Sequence, residues 1–483
     1  MKLSPLSIPY RLLRVASGFV WVLIFAGFGS VSMFGMSVGT AVLAGLFGLG
    51  FLVLVGYQVR YYQRFEYRLT ADSLDITSGV LSRTNREIPL RRIQNVDIHR
   101  NLIQRALDIA EVRVETAGGS STEAHLRYVS TDAARRLVNE VGRLKRGAVD
   151  DTEEAPASTL LYEISSRELA LLGLVSLDLR FVPILTVAVP VVVPSLSRFI
   201  VTDPVTGFIL AAPLGIIALI VLSVVTSGAA AIANYYGFRL SRANGDLRYE
   251  RGLLQRYDGT IPLDKVQTLT IRENLVQRLV DHATLGVETA GYAPGQGTTL
   301  GSEAAVPLAP KDRVVSLAQT IEPFGDPTFE RPPKRARQRY AVRYTLALLA
   351  LTGVLFAVIR FSGFEIGWWV PLLGIPLTPV AAHYQWKNRG YALTDDYVLT
   401  QAGFWVRTTK IVPYYRVQTV ATSASIFQRY RDLATLTVDT AGARSIIGSN
   451  ARALDIDAAT AATLRDVVAD RLQASLRARR VRG

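Results

Sequence analysis

Four histidines, His99, His125, His282 and His383, are the side chains best suited to metal binding or proton transfer in this 483-residue chain, and their spacing serves neither. No two of them stand at the short intervals that let one helix or turn present paired ligands. Cysteine is absent, which removes thiolate metal sites, iron–sulfur centres, disulfides and cysteine nucleophiles together. No Gly-x-Ser-x-Gly nucleophile elbow occurs. The glycine-rich run 291–301 lacks the Gly-Lys-Ser/Thr ending of a phosphate loop and reads as a long hairpin loop. No catalytic residue, cofactor site or metal site is expected.

The residues that do recur are of another kind. Ile88-Pro89-Leu90-Arg91-Arg92-Ile93-Gln94 returns as Ile261-Pro262-Leu263-Asp264-Lys265-Val266-Gln267 and as Val412-Pro413-Tyr414-Tyr415-Arg416-Val417-Gln418. Ten residues after each Gln comes Gln-Arg, at Gln104-Arg105, Gln277-Arg278 and Gln428-Arg429. Asp108, Asp281 and Asp432 follow, then Thr-Ala-Gly beginning at Thr116, Thr289 and Thr440. A turn glycine precedes each run at Gly79, Gly252 and Gly403. A register kept without insertion over such a length marks a triplication.

Most of these positions read as structural. A polar residue recurring inside a strand pattern usually satisfies backbone groups near a turn, which covers Gln94, Gln267 and Gln418; Gln104, Gln277 and Gln428, with Pro89, Pro262 and Pro413, are recurrent positions expected to be structural as well. Arg105, Arg278 and Arg429 stand three residues before an Asp, the spacing of a weak ion pair on a short helix. The basic residue before each Val/Ile-Gln step (Arg92, Lys265, Arg416) is expected on an exposed strand face rather than on a lipid phosphate.

Short alternating runs bounded by turn residues position these motifs, which is the pattern of strands and hairpins. Each copy then ends in helical spacing: Leu137, Val138, Val141 and Leu144; Val314, Val315 and Ile321; Leu464, Val467, Val468, Leu472 and Leu476. Three polar domains follow, over 61–146, 238–322 and 391–476. Each is a small antiparallel sheet system closed by one C-terminal amphipathic helix, the plan of a pleckstrin-homology (PH) domain.

Composition places these domains beside a membrane. Hydrophobic residues make up 49% of the chain and charged residues 19%, with a mean hydropathy of +0.24. Disordered chains are excluded by that balance, and an ordinary soluble enzyme carries more charge. Long apolar stretches precede each polar domain. They predict six spans in three hairpins, over 15–58, over 168–236 (opening with an interfacial helix from Glu168 to Leu177) and over 344–386. Basic residues flank the hairpins on one side, so both termini and all three domains are expected in the cytoplasm. No acidic or basic residue lies mid-span, which disfavours transport.

The net charge of +14 is concentrated in places. Arg331, Lys334, Arg335, Arg337, Arg339 and Arg343 precede the fifth span, and Arg477, Arg479, Arg480 and Arg482 lie in a basic tail over 477–483. Both runs are candidate contacts for an anionic leaflet. The tail run contains no aromatic residue and the first only Tyr340, too few for stacking on successive bases, so nucleic acid is not expected. The acidic linker 147–158 and the proline-rich linker 323–333 read as flexible and as a spacer.

The hairpin-plus-domain triplication, the Ile-Pro-Leu…Val-Gln run, the Gln-Arg step and the Thr-Ala-Gly end resemble the membrane-anchored bacterial PH-domain family, YdbS/YdbT-like. The third copy departs from the other two at Tyr414-Tyr415 and at Asp439, where they carry Glu115 and Glu288. The resemblance implies a multi-pass prokaryotic membrane protein without known enzymatic activity, some relatives being linked to protection against antimicrobial peptides. The full expectation is therefore a multi-pass α-helical membrane protein carrying three β-rich PH-like domains, each closed by a helix. It would act as a non-enzymatic scaffold at the cytoplasmic face. Its partners would be anionic membrane lipids and a protein, either a related PH-domain membrane protein or a second copy. A subunit of a transporter or lipid-handling complex is the alternative.

Overall fold

The computed structural model describes residues 1–12, 38–116, 124–145, 158–176, 221–243, 245–289, 303–362, 368–441 and 450–482. They belong to two compact units, 1–163 with 233–262, and 164–232 with 263–483.

In the first unit helix α1 (Val38–Arg64) leads into β1 (Glu66–Leu69), β2 (Ser73–Ser78) and β3 (Thr84–Pro89), an antiparallel three-stranded sheet. A second antiparallel set follows: β4 (Ile93–Asn101), the short helix α2 (Leu102–Ala106), β5 (Ile109–Thr116) and β6 (Ala124–Ser130). Helix α3 (Thr131–Lys145) closes the repeat. Alternation along the strands sends Leu74, Ile76, Ile88, Val112 and Leu126 into one core, and Leu137 and Val141 of α3 cover it. Strands β7 (Thr159–Glu163), β8 (Arg239–Ala243), β9 (Asp246–Arg251) and β10 (Gln255–Pro262) extend the second set into a seven-stranded sheet ordered β6-β5-β4-β10-β9-β8-β7.

The second unit repeats the plan. It holds α4 (Ser166–Val175), and the second repeat continues with β11 (Val266–Asn274), α6 (Leu275–Leu279), β12 (His282–Thr289), β13 (Glu303–Pro310) and α7 (Lys311–Ile321). Between α4 and β8 the chain forms helix α5 (Val221–Tyr235). Helices α8 (Arg335–Ser362) and α9 (Thr378–Lys387) precede the third repeat. That repeat consists of β14 (Gly390–Leu393), β15 (Tyr397–Ala402), β16 (Val406–Pro413), β17 (Val417–Ser423), α10 (Ile426–Arg429), β18 (Leu433–Thr440), β19 (Ala451–Asp457) and α11 (Ala458–Arg482). The sheets are ordered β13-β12-β11-β16-β15-β14 and β17-β18-β19. Val398, Val412, Val417 and Val438 pack beneath Val468 of α11.

The expected six-span helical membrane part is corrected by the structure. Among the described residues one helix, over Arg335–Ala357 within α8, is long and apolar enough to cross a bilayer. Beyond it, the expected span over 366–386 breaks into a 3-10 segment, Val370–Leu377, and the ten-residue α9. Pro371, Pro376 and Pro379 each remove a backbone donor there, a cost that hydropathy does not register. The described part of α5, Val221–Tyr235, is apolar and shorter than a span. The expected spans also fall on residues 13–37 and 177–220, outside the described residues. The described fold is β-rich, with PH-like repeats as its substance.

The proline-rich linker also departs from expectation. Instead of acting as a spacer it lies along the third repeat: Glu330 bridges Tyr391, and Trp386 donates its indole N–H to the Pro332 carbonyl at 2.7 Å.

Candidate functional site

The recurrent Gln closes a capping box at each short helix. Asn101 Oδ1 accepts from the Gln104 amide and Gln104 Oε1 from the Asn101 amide, both at 2.8 Å. Asn274 and Gln277 repeat this at 2.8 Å each, and Ser425 and Gln428 at 2.9 and 3.3 Å. All three Gln side chains are buried, and each box satisfies two backbone donors, one through the Gln and one through the cap residue. Asp108, Asp281 and Asp432 end the helices at φ of 50–51°, a left-handed conformation that Asp tolerates better than bulkier residues.

The arginine of this step does not pair with that Asp. Arg105 Nη1 donates to the Leu253 carbonyl at 2.9 Å, and Arg278 Nη2 to the Phe404 carbonyl at 2.8 Å. Each guanidinium thus reaches from its own short helix to the turn that follows a recurrent glycine in the next repeat.

Those contacts border a strand pairing that joins consecutive repeats. β10 runs antiparallel to β4, from Gln255 opposite Asn101 to Asp258 opposite Ile98. β16 runs antiparallel to β11, from Val406 opposite Asn274 to Ile411 opposite Leu269. In both junctions the residue three beyond the turn glycine faces the residue that caps the short helix. Gly252 and Gly403 take φ of +107° and +129°, and a Cβ on either would lie 1.8 Å from a backbone carbonyl oxygen. Only glycine fits that turn.

Side chains fasten both junctions. Arg100 meets Asp258 at 3.5 Å in the first, where His99 sets its ring edge-on to Tyr257 with centroids 4.6 Å apart. Burial pushes His99 down to about 3, so the ring is neutral at pH 7. In the second, Arg407 holds Glu273 through two bonds of 2.7 Å, and Lys410 holds Glu288 at 2.9 Å. Burial lowers Lys410 while the Glu288 carboxylate opposes that shift.

The remaining sequence-derived positions are placed as follows. Pro89, Pro262 and Pro413 each end a strand before a 3-10 turn. Arg92, Lys265 and Arg416 sit in those turns rather than on strands. Gln267 is buried and donates to the Lys265 carbonyl at 3.2 Å, Gln418 is exposed, and the side chain of Gln94 lies outside the described residues. Arg331 and Arg337 stack on Trp386, Arg343 donates to Gln385 at 3.3 Å, and Arg479 stacks on Tyr415. Arg335 caps the Arg431 and Asp432 carbonyls and meets Asp457 at 2.5 Å. Lys334, Arg477 and Arg480 are exposed, and the side chain of Arg482 lies outside the described residues.

One buried cluster escaped sequence reasoning. Asp455 accepts from Arg339, from Gln428 Nε2 at 2.8 Å, from the Tyr340 hydroxyl at 2.7 Å and from Arg389 Nη1 at 2.6 Å. Arg339 and Tyr340 belong to α8, so the network binds the start of the long apolar helix to the third repeat. Strand pairing sets Asp455 level with Tyr128 and Leu308 of the other copies. An acid at an otherwise hydrophobic strand position was the available signal.

Among the described residues no three His, Asp or Glu side chains could share a metal. Paired antiparallel sheets closed by one helix, with polar side chains spent on caps and junctions, are the architecture of a PH-type domain. The profile of the bacterial PH domain family matches residues 17–145, 184–324 and 341–472, and the chain belongs to that family. It is also 25% identical over 415 residues to the UPF0699 transmembrane protein YdbT of Bacillus subtilis (strain 168), covering 80% of this chain and 82% of that protein.

Proposed function

We propose that this chain is a non-enzymatic, membrane-associated scaffold whose PH-like repeats present binding surfaces at the cytoplasmic face of a bilayer. The clamp on Asp455 carries the reading. Through Arg339, Tyr340 and Arg389 it makes one piece of a bilayer-length apolar helix and a PH-like domain, so the domain is held where the helix inserts. The transmembrane designation of the Bacillus subtilis relative supports the same placement. The basic start of α8 favours the cytoplasmic side. Lys334, Arg477 and Arg480, exposed and without an ion pair among the described residues, are the cations left to meet anionic headgroups. Tethering raises the effective concentration of the repeats for any shared partner.

Alkaline carbonate washing of membranes containing the tagged full chain tests the reading. The protein is expected in the pellet, and release into the supernatant would overturn membrane insertion. Orientation is read from a Ser316→Cys variant of the cysteine-free chain. An impermeant maleimide should label it only after lysis; labelling in intact cells would place the domain outside.

A further inference from the structure

We propose that a second copy of this chain pairs its β3 with the outer edge of β17, by the same junction that joins consecutive repeats. β4 and β11 are each covered by the last first-sheet strand of the following repeat, β10 and β16. β17 is their counterpart in the third repeat. It ends its sheet, and no strand lies along its outer edge among the described residues. β3 is the counterpart of β10 and β16, and it too ends its sheet. The two edges are the complementary halves of an interface that the chain already forms twice.

The groups that fasten the internal junctions stand ready at these edges. Arg105 and Arg278 reach the turn of the next repeat, whereas the equivalent Arg429 is exposed and has no side-chain partner among the described residues. Its target in a second copy is the carbonyl of Val80, which follows Gly79 as Leu253 follows Gly252. That oxygen accepts one bond, from Arg64, and retains a second lone pair. On the short helices, Ile426 and Phe427 are each 72% exposed, against 39–53% for Leu102, Ile103, Leu275 and Val276 at the covered junctions. On the turns, Leu81 is 94% exposed, against 51% for Leu254 and 68% for Trp405. Apolar surface that the internal junctions cover is thus left open at both ends.

β17 reads Val417-Gln-Thr-Val-Ala-Thr-Ser423, without the charge or proline that commonly guards an edge strand. The internal register transfers directly. The residue three beyond the turn glycine faces the helix cap, which sets Ser82 opposite Ser425, Thr84 opposite Ser423 and Asn85 opposite Thr422. Ala424 stands where Glu273 holds Arg407, so the pairing between copies lacks that bidentate ion pair and is the weaker and more reversible junction. Because the two edges differ, the contact is head-to-tail and builds a ring or a filament.

The inference deepens the scaffold reading by naming a partner, and its test scores copy-to-copy pairing whether or not the protein sediments with membranes, so the two readings fail separately. Two differently tagged full-length chains, one Asn85→Cys and one Thr422→Cys, are co-expressed and oxidised mildly. A disulfide-linked dimer carrying both tags is expected, since facing strand residues lie within disulfide reach. Pairing Asn85→Cys with Ala421→Cys sets the thiols on opposite faces and should give at least tenfold less product. Ser423→Lys added to the Thr422→Cys chain should lower the yield by guarding the edge. Absence of the two-tag dimer, equal yield in the off-register pair, or a double variant that closes only within one chain would overturn the proposal.

Discussion

At the scale of single residues, Asp455 and His99 carry the strongest expectations. Asp455 is the acid on which Arg339 and Arg389 depend, and Arg389 is itself buried. Asp455→Ala strands those cations and should cost about 3–5 kcal/mol, read as a lowered Tm, because removing one partner of a buried pair leaves the other uncompensated. Asp455→Asn should fall between, keeping shape and some hydrogen bonds. His99 makes a pH prediction. Its folded value lies near 3, below the ordinary 6.5, so the unfolded chain binds the extra proton between those values. Stability from the β4–β10 junction is therefore complete above pH 6.5 and falls as pH drops towards 3, by at most about 1.4 kcal/mol per pH unit. Thermal melts from pH 7 to 5 should show the decline, and His99→Phe should flatten it. Recurrence marked Gln104, Gln277 and Gln428 as positions of the repeat, but the capping boxes they close were not read from the sequence. Asp455 was not, because its partners come from α8, Arg389 and Gln428, separated from it by 27 to 116 residues.

At the scale of elements, the glycine turn governs the junction. Gly403→Ala would press a Cβ into the Val406 carbonyl and force a non-glycine residue to φ of +129°. A loss of about 1–3 kcal/mol is expected, with β16 displaced and the Phe404 carbonyl withdrawn from Arg278. Arg278→Ala should cost less while leaving the turn intact, so comparing the two Tm shifts separates turn from contact. Strands, closing helices and the turn glycines were readable from alternation, helical spacing and recurrence. The pairing of β10 with β4 and of β16 with β11 was not, because every strand edge offers the same N–H and C=O groups and no side-chain period reports which edge is used. The expected span over 366–386 failed for a different reason. Hydropathy counts apolar residues over 366–386 but not the donors that three prolines delete.

At the scale of the whole molecule, one junction recurs. It joins the first repeat to strands of the second in one unit, and the second to the third in the other. Triplication by this route makes strand pairing with a neighbour a property of the repeat itself, and the proposed scaffold role draws on it. The most direct measurement is peptide-resolved hydrogen exchange on the full chain in detergent. Backbone amides of β10 and β16 should be as protected as those of β5 and β12, since strands inside a continuous sheet open only with larger unfolding. Exchange of β10 and β16 at the rate of solvent-exposed loops would contradict the strand-joined repeats on which the proposed scaffold role rests.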